Sequence, residues 1–108
     1  AFDIGQDGAL SNRRVWADMP DRAVPDGICI DSQGGIWVAS PTTGEAFRVV
    51  EGGEVTDRVE TGRMAIATAL GGPDGKTLFI LTSESTTPAE CIAAMSARVE
   101  YVTVEIPV

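Results

Sequence analysis

Histidine is absent from this 108-residue chain. With it go the commonest zinc ligand and the side chain that most often acts as a general base near neutral pH. Any catalysis must therefore run on carboxylates, hydroxyls or a metal held by oxygen. Basic residues are scarce too: 8 Lys and Arg stand against 16 Asp and Glu, a net charge of −8. Such a surface repels phosphate backbones, and no basic cluster exceeds Arg13-Arg14, so no nucleic-acid partner is expected. No run approaches the about 18 consecutive apolar residues needed to cross a bilayer, and no amphipathic membrane helix stands out, so no membrane partner is expected. A glycine-rich phosphate loop is missing as well. The start, Ala1-Phe2-Asp3-Ile4-Gly5, has neither the basic region nor the apolar core of a targeting segment. It also lacks an initiator Met, which fits a processed or truncated piece. Two cysteines, Cys29 and Cys91, make no disulfide framework. Cys29, between two isoleucines, reads as a small buried hydrophobe. A Cys29–Cys91 bridge stays open, but free thiols and a cytoplasmic setting are the expectation.

What is present is a single domain long enough to bury a core, with 44% hydrophobic and 22% charged residues. The central stretch is Val24-Pro25-Asp26-Gly27, then Ile28-Cys29-Ile30, a polar turn through Gly34-Gly35, and Ile36-Trp37-Val38-Ala39-Ser40. Apolar runs around a glycine-rich turn are a hairpin signal. Strands are expected over 27–31, 35–40, 45–50 and 55–60, joined by the turns at Pro41–Gly44 and Glu51–Glu54. In the third, Ala46, Arg48 and Val50 alternate with Phe47 and Val49. The pattern restarts with strands at 64–70 and 77–82 around Gly71-Gly72-Pro73-Asp74-Gly75-Lys76. Laying Leu78-Phe79-Ile80 on Ile36-Trp37-Val38 gives an offset of 42 residues. A period in the low forties with about four strands per unit is the spacing of β-propeller blades. Upstream, Ala1–Ile4 and Arg13–Ala17 are expected to pair around the loop Asp7–Asn12. Downstream, Pro88 opens one or two helical turns, and Arg98–Ile106 alternates as a last, outer strand.

The runs Ala9–Ala17, Pro25-Asp26-Gly27-Ile28-Cys29-Ile30-Asp31, Gly35-Ile36-Trp37-Val38-Ala39, Gly71–Phe79 and Ala97–Val104 resemble the senescence-marker/gluconolactonase/luciferin-regenerating family, carboxy-terminal portion. The resemblance implies an all-β partial propeller, about two four-stranded blades plus part of a third of a six-bladed parent. Residues 1–23 would end a preceding blade, 24–60 form one blade, and 64–108 form the last blade and closing strand. It also implies hydrolysis of a sugar lactone with one divalent cation, calcium or zinc, on the propeller axis. The Asp of the Pro-Asp-Gly-Ile-Cys-Ile-Asp motif, Asp26, is then both metal ligand and candidate general base. Asp74, in the similar Pro73-Asp74-Gly75, falls in a hairpin turn and is a decoy. The family's other ligands, a Glu near the start and an Asn from an earlier blade, have no counterpart here. Calcium takes about 6–8 oxygen ligands, so one carboxylate would not hold it tightly. The expectation is a site incomplete and inactive in this chain alone.

Read without the resemblance, Asp26 is a turn residue, and Asp31, ahead of Ser32-Gln33-Gly34, caps a turn. Trp37 and Phe79 are blade-packing residues at equivalent places. Ser40, Thr82 and Ser83 follow their strands but have no base to activate a hydroxyl. Glu84–Thr87 reads as a solvent loop, with a pocket rim as the functional alternative. Two functions follow: part of a metal-dependent lactone hydrolase, or a non-catalytic interaction or scaffold module. A partial propeller also exposes blade faces, to be covered by a completing segment or by oligomerisation.

Overall fold

The computed structural model describes residues 1–20 and 22–108. Among the described residues, nine strands form three antiparallel sheets. The first is a ribbon of β1 (Asp3–Ile4) and β2 (Leu10–Ser11). The second is a four-stranded meander of β3 (Ile28–Ile30), β4 (Ile36–Ser40), β5 (Glu45–Val49) and β6 (Val55–Glu60). The third contains β7 (Met64–Gly71), β8 (Thr77–Ser83) and β9 (Arg98–Thr103), with helix α1 (Pro88–Ala94) between the last two strands.

Alternation decides which face of each strand is buried. On the second sheet, Val38, Phe47 and Val49 point to one side, where Trp16, Ala17, Met19 and Ala23 cover them. Trp37, Ala39 and Ala46 point to the other side and pack against Ala65, Leu78 and Ile80 of the third sheet. The two sheets therefore stack as neighbouring blades. The offset of 42 survives in three dimensions, because Val38 and Ile80 both face the preceding layer while Trp37 and Phe79 both face the following one. Trp37 is 2% exposed because the third sheet covers it. Phe79 is only half-buried, since the face it shares with Leu81, Val99 and Tyr101 carries no further sheet among the described residues.

Two turns show local necessity. The β3–β4 hairpin closes with the Gly34 N–H donating to the Asp31 carbonyl at 3.0 Å, and Gly34 adopts φ 79°, which favours glycine. Gly27 sits where β3 crosses β7: its N–H donates to the Ile66 carbonyl at 2.8 Å, and a Cβ there would lie 2.6 Å from the Ala67 Cα.

The amino-terminal hairpin differs from its expectation. Arg13–Ala17 is not a strand: β1 pairs with Leu10–Ser11 around a tighter turn, in which the Gly5 N–H donates to the Ala9 carbonyl. Arg14 still exchanges main-chain hydrogen bonds with Ala1, at 3.0 and 2.6 Å, and beyond it the chain leaves the ribbon to lay Trp16 and Ala17 on the second sheet, where the Trp16 carbonyl accepts from the Gly52 N–H at 2.9 Å. The last strand ends at Thr103 rather than Ile106. Helix α1 makes about two turns and stops at Met95, which is left-handed at φ 44° and returns its N–H to the Cys91 carbonyl.

Candidate functional site

One edge of the two stacked sheets gathers the chemistry-bearing residues singled out in the sequence. β3 starts there and β4 ends there. β7 is drawn to the same edge by the Gly27–Ile66 hydrogen bond. Asp26 stands at this edge. Its backbone N–H donates to the Ala39 carbonyl at 3.0 Å, and the Ala39 N–H returns a bond to the Gly27 carbonyl at 3.0 Å. The residue is thus clamped by the main chain on a rigid sheet while its side chain is exposed. That carboxylate makes no hydrogen bond or ion pair to another described residue. It caps no turn with its side chain and is free to meet a ligand.

The hydroxyls nearby are structural. Ser40 is buried, accepting from Thr43 Oγ1 at 2.8 Å and from the Val24 N–H at 3.3 Å. Ser83 Oγ donates to the Ser85 carbonyl at 2.7 Å. Thr82 is buried with its Oγ1 unpartnered among the described residues. None lies beside a base. Further along the edge, Thr43, Gly44, Gly62, Arg63, Met64 and Glu84 line an open depression of about 520 Å³, in which Arg63 reaches Glu84 at 3.9 Å. Arg63 also donates to the Ser96 carbonyl, so this cation is committed to joining loops.

Asp31 is a structural residue, and more deeply so than a surface turn cap. Its Oδ1 accepts from the N–H groups of Gln33 and Gly35 at 2.9 and 3.0 Å, and its Oδ2 accepts from Arg48 Nε at 2.6 Å. Burial alone would push the Asp31 carboxyl up. The Arg48 guanidinium and the two N–H donors more than offset this and hold it below the usual carboxylate range. Sequence reading missed this pair because the partners stand 17 residues apart. The available signal was a cation at an inward position of an otherwise apolar strand. Asp74 takes the Lys76 N–H at 3.0 Å in a plain turn. Cys29 and Cys91 are both free, and burial pushes the Cys29 thiol up.

A divalent cation needs converging donors, and these are not brought together. Among the described residues, no group of three or more Cys, Asp or Glu side chains is placed to hold a metal ion. Asp26 stands alone, and the 108 residues by themselves do not fit a tight cation site.

Stacked four-stranded and three-stranded meanders, repeating at 42 residues, define a β-propeller-type protein. The solved structure of a luciferin-regenerating enzyme superposes with a TM-score of 0.79 over 98% of this chain and 38% of that one, at 20% identity, which shows the shared fold. Residues 1–84 match the model of the SMP-30/gluconolactonase/LRE-like region. Regucalcin of Danio rerio is 34% identical over 99 residues, 86% of this chain and 33% of that protein. An uncharacterized protein of Sulfolobus acidocaldarius is 35% identical over 85 residues, 76% and 30% of the two chains. The chain belongs to the SMP-30/gluconolactonase/LRE-like family. It spans about a third of the length of the curated relatives it matches.

Proposed function

We propose that the chain contributes Asp26 to the site of a sugar-lactone hydrolase whose other donors come from polypeptide outside these 108 residues. The observation that carries this reading is the state of Asp26: fixed by its main chain, exposed, and with a side chain committed to no described partner. The buried structural carboxylate Asp31 is, by contrast, engaged by donors on both oxygens. An unengaged carboxylate on a rigid edge can accept a proton from a water as that water attacks a lactone carbonyl. Ring opening then leaves a hydroxy acid. The divalent cation implied by the family, calcium or zinc, would need Asp26 together with donors this chain does not bring near it.

The test is proton release from δ-gluconolactone at constant pH, with calcium or zinc present. The chain alone should give the uncatalysed rate. The chain joined to the part of a lactonase relative that it does not span should accelerate hydrolysis, and Asp26→Ala should remove about 10²-fold or more of that gain. Equal activity of the Asp26→Ala form would overturn the reading. The second reading, a non-catalytic interaction module, is favoured by the bare outer face of the third sheet, where Leu81, Val99 and Tyr101 are 44%, 64% and 77% exposed.

A further inference from the structure

Asp26 is approached from upstream through Arg22–Val24, a segment that belongs to no strand. Ala23 packs on the second sheet, but the carbonyl before it and the N–H after it are taken by side chains rather than by a ladder. Arg22 adopts φ 68°, a left-handed conformation rare for a residue with a side chain.

The turn between β4 and β5 holds it there. Thr42 Oγ1 donates to the Arg22 carbonyl at 2.5 Å. The same oxygen accepts from the Val24 N–H at 3.2 Å, a donor that it shares with Ser40 Oγ at 3.3 Å. With its one proton on Arg22, Thr42 can only accept in its 3.4 Å contact with Ser40, so Ser40 is the donor there. Thr43 Oγ1 in turn donates to Ser40 at 2.8 Å. Ser40 and Thr42 therefore each give one proton and accept two bonds. The turn that carries these hydroxyls is itself fixed. The Gly44 N–H donates to the Ser40 carbonyl at 3.0 Å, and the Gly44 carbonyl accepts from the N–H and the Oγ1 of Thr61 at 2.9 and 2.8 Å. Pro25, whose ring sets φ, passes that rigidity on to Asp26.

We propose that Thr42 is a positioning residue for Asp26: its hydroxyl latches Arg22 and Val24 to the β4–β5 turn and so sets where the Asp26 carboxylate stands. A left-handed arginine kept by a hydroxyl cluster, just before an unengaged carboxylate, is strain retained where a side chain has to be aimed. The purpose of the latch rests on Asp26 being the ligand and base position proposed above. Its hydrogen bonds do not.

Thr42→Val keeps the side-chain shape and removes the hydroxyl, whereas Thr42→Ser keeps the hydroxyl. Thr42 is exposed, so neither change disturbs the core. Amide exchange is followed by NMR in the full chain without metal, and calcium is then titrated. In Thr42→Val, exchange at Asp26 should rise about tenfold or more, while the core amides of Phe47 and Leu78 keep their rates. The calcium-induced shifts at Asp26 should need about tenfold more calcium. Thr42→Ser should restore both. Unchanged exchange at Asp26 in Thr42→Val would overturn the proposal, as would equal acceleration at Phe47 or a Thr42→Ser form that behaves like Thr42→Val. Faster exchange with an unshifted calcium midpoint would reduce Thr42 to a turn residue and overturn it too. Absence of Asp26-centred shifts in the wild type would instead refute the ligand reading, and the positioning of Asp26 would then stand or fall on the exchange rates alone.

Discussion

Replacing Asp31 by asparagine keeps the side-chain shape and removes its charge. Arg48 is then left as an unpaired guanidinium in a side-chain environment only 6% exposed. Breaking a buried ion pair from one side costs about 3–5 kcal/mol, because the surviving charge has lost both water and partner. The new amide oxygen can still accept from the N–H groups of Gln33 and Gly35, so Asp31→Asn should fall at the lower end of that range and Asp31→Ala at the upper. Replacing both partners, Asp31→Asn with Arg48→Met, should recover most of the loss, since an apolar stem refills the space between the sheets. Urea denaturation followed by tryptophan fluorescence measures all four proteins, and adding Arg48→Met alone completes the double-mutant cycle that gives the coupling. The pair also sets a pH dependence. The folded Asp31 carboxyl is held below its unfolded value. Its contribution is therefore complete above the ordinary carboxylate pKa of about 3.9 and is lost as pH falls through the lower folded value. The wild type should lose stability over that acid window more steeply than the double variant. A cost below about 1 kcal/mol for Asp31→Asn, or parallel acid profiles, would refute the assignment of the pair as a keystone of the second sheet.

Three further outcomes follow from packing. Gly27→Ala should destabilise by about 1–3 kcal/mol, because the new Cβ meets the Ala67 main chain 2.6 Å away rather than a flexible side chain; chemical denaturation checks it. Trp37→Ala should cost about 3–5 kcal/mol and Phe79→Ala clearly less, although the two occupy the same place in the repeat, because only Trp37 has a sheet stacked over it. Equal losses in thermal unfolding would contradict the argument that the sheet stacked over Trp37, rather than its place in the repeat, sets the cost. Asp26→Ala should leave stability within about 0.5 kcal/mol of the wild type, since its side chain bonds no described residue; a larger loss would mark it as a turn residue after all.

Most of the strand architecture could be read from the chain because alternation and turn chemistry are local signals. Ile28–Ile30, Ile36–Ser40, Glu45–Val49 and Val55–Glu60 fall within a residue or two of where glycine-rich turns and apolar runs put them. The equivalence of Trp37 and Phe79 was equally visible, but their unequal burial was not, since burial depends on whether another sheet follows. Arg13–Ala17 misled because Val15, Trp16 and Ala17 look like a strand, whereas Trp16 is used as a cover for Phe47 and Val49. For the candidate site, Pro-Asp-Gly singled out Asp26, which the fold sets at a sheet edge with an exposed side chain, and Asp74 stands in the hairpin turn that the pattern gave it. The Asp31–Arg48 pair was illegible, as it arises from which strands meet in space.

What most needs testing is the proposal that Asp26 is a cation-ligand position at the sheet edge. The direct measurement is a calcium titration of the chain and of Asp26→Ala, followed by backbone NMR. The account predicts weak, millimolar-range binding, with shifts centred on Asp26, Gly27 and Ala39 that vanish in Asp26→Ala. Shifts spread evenly over the acidic surface, or unchanged by the substitution, would contradict it.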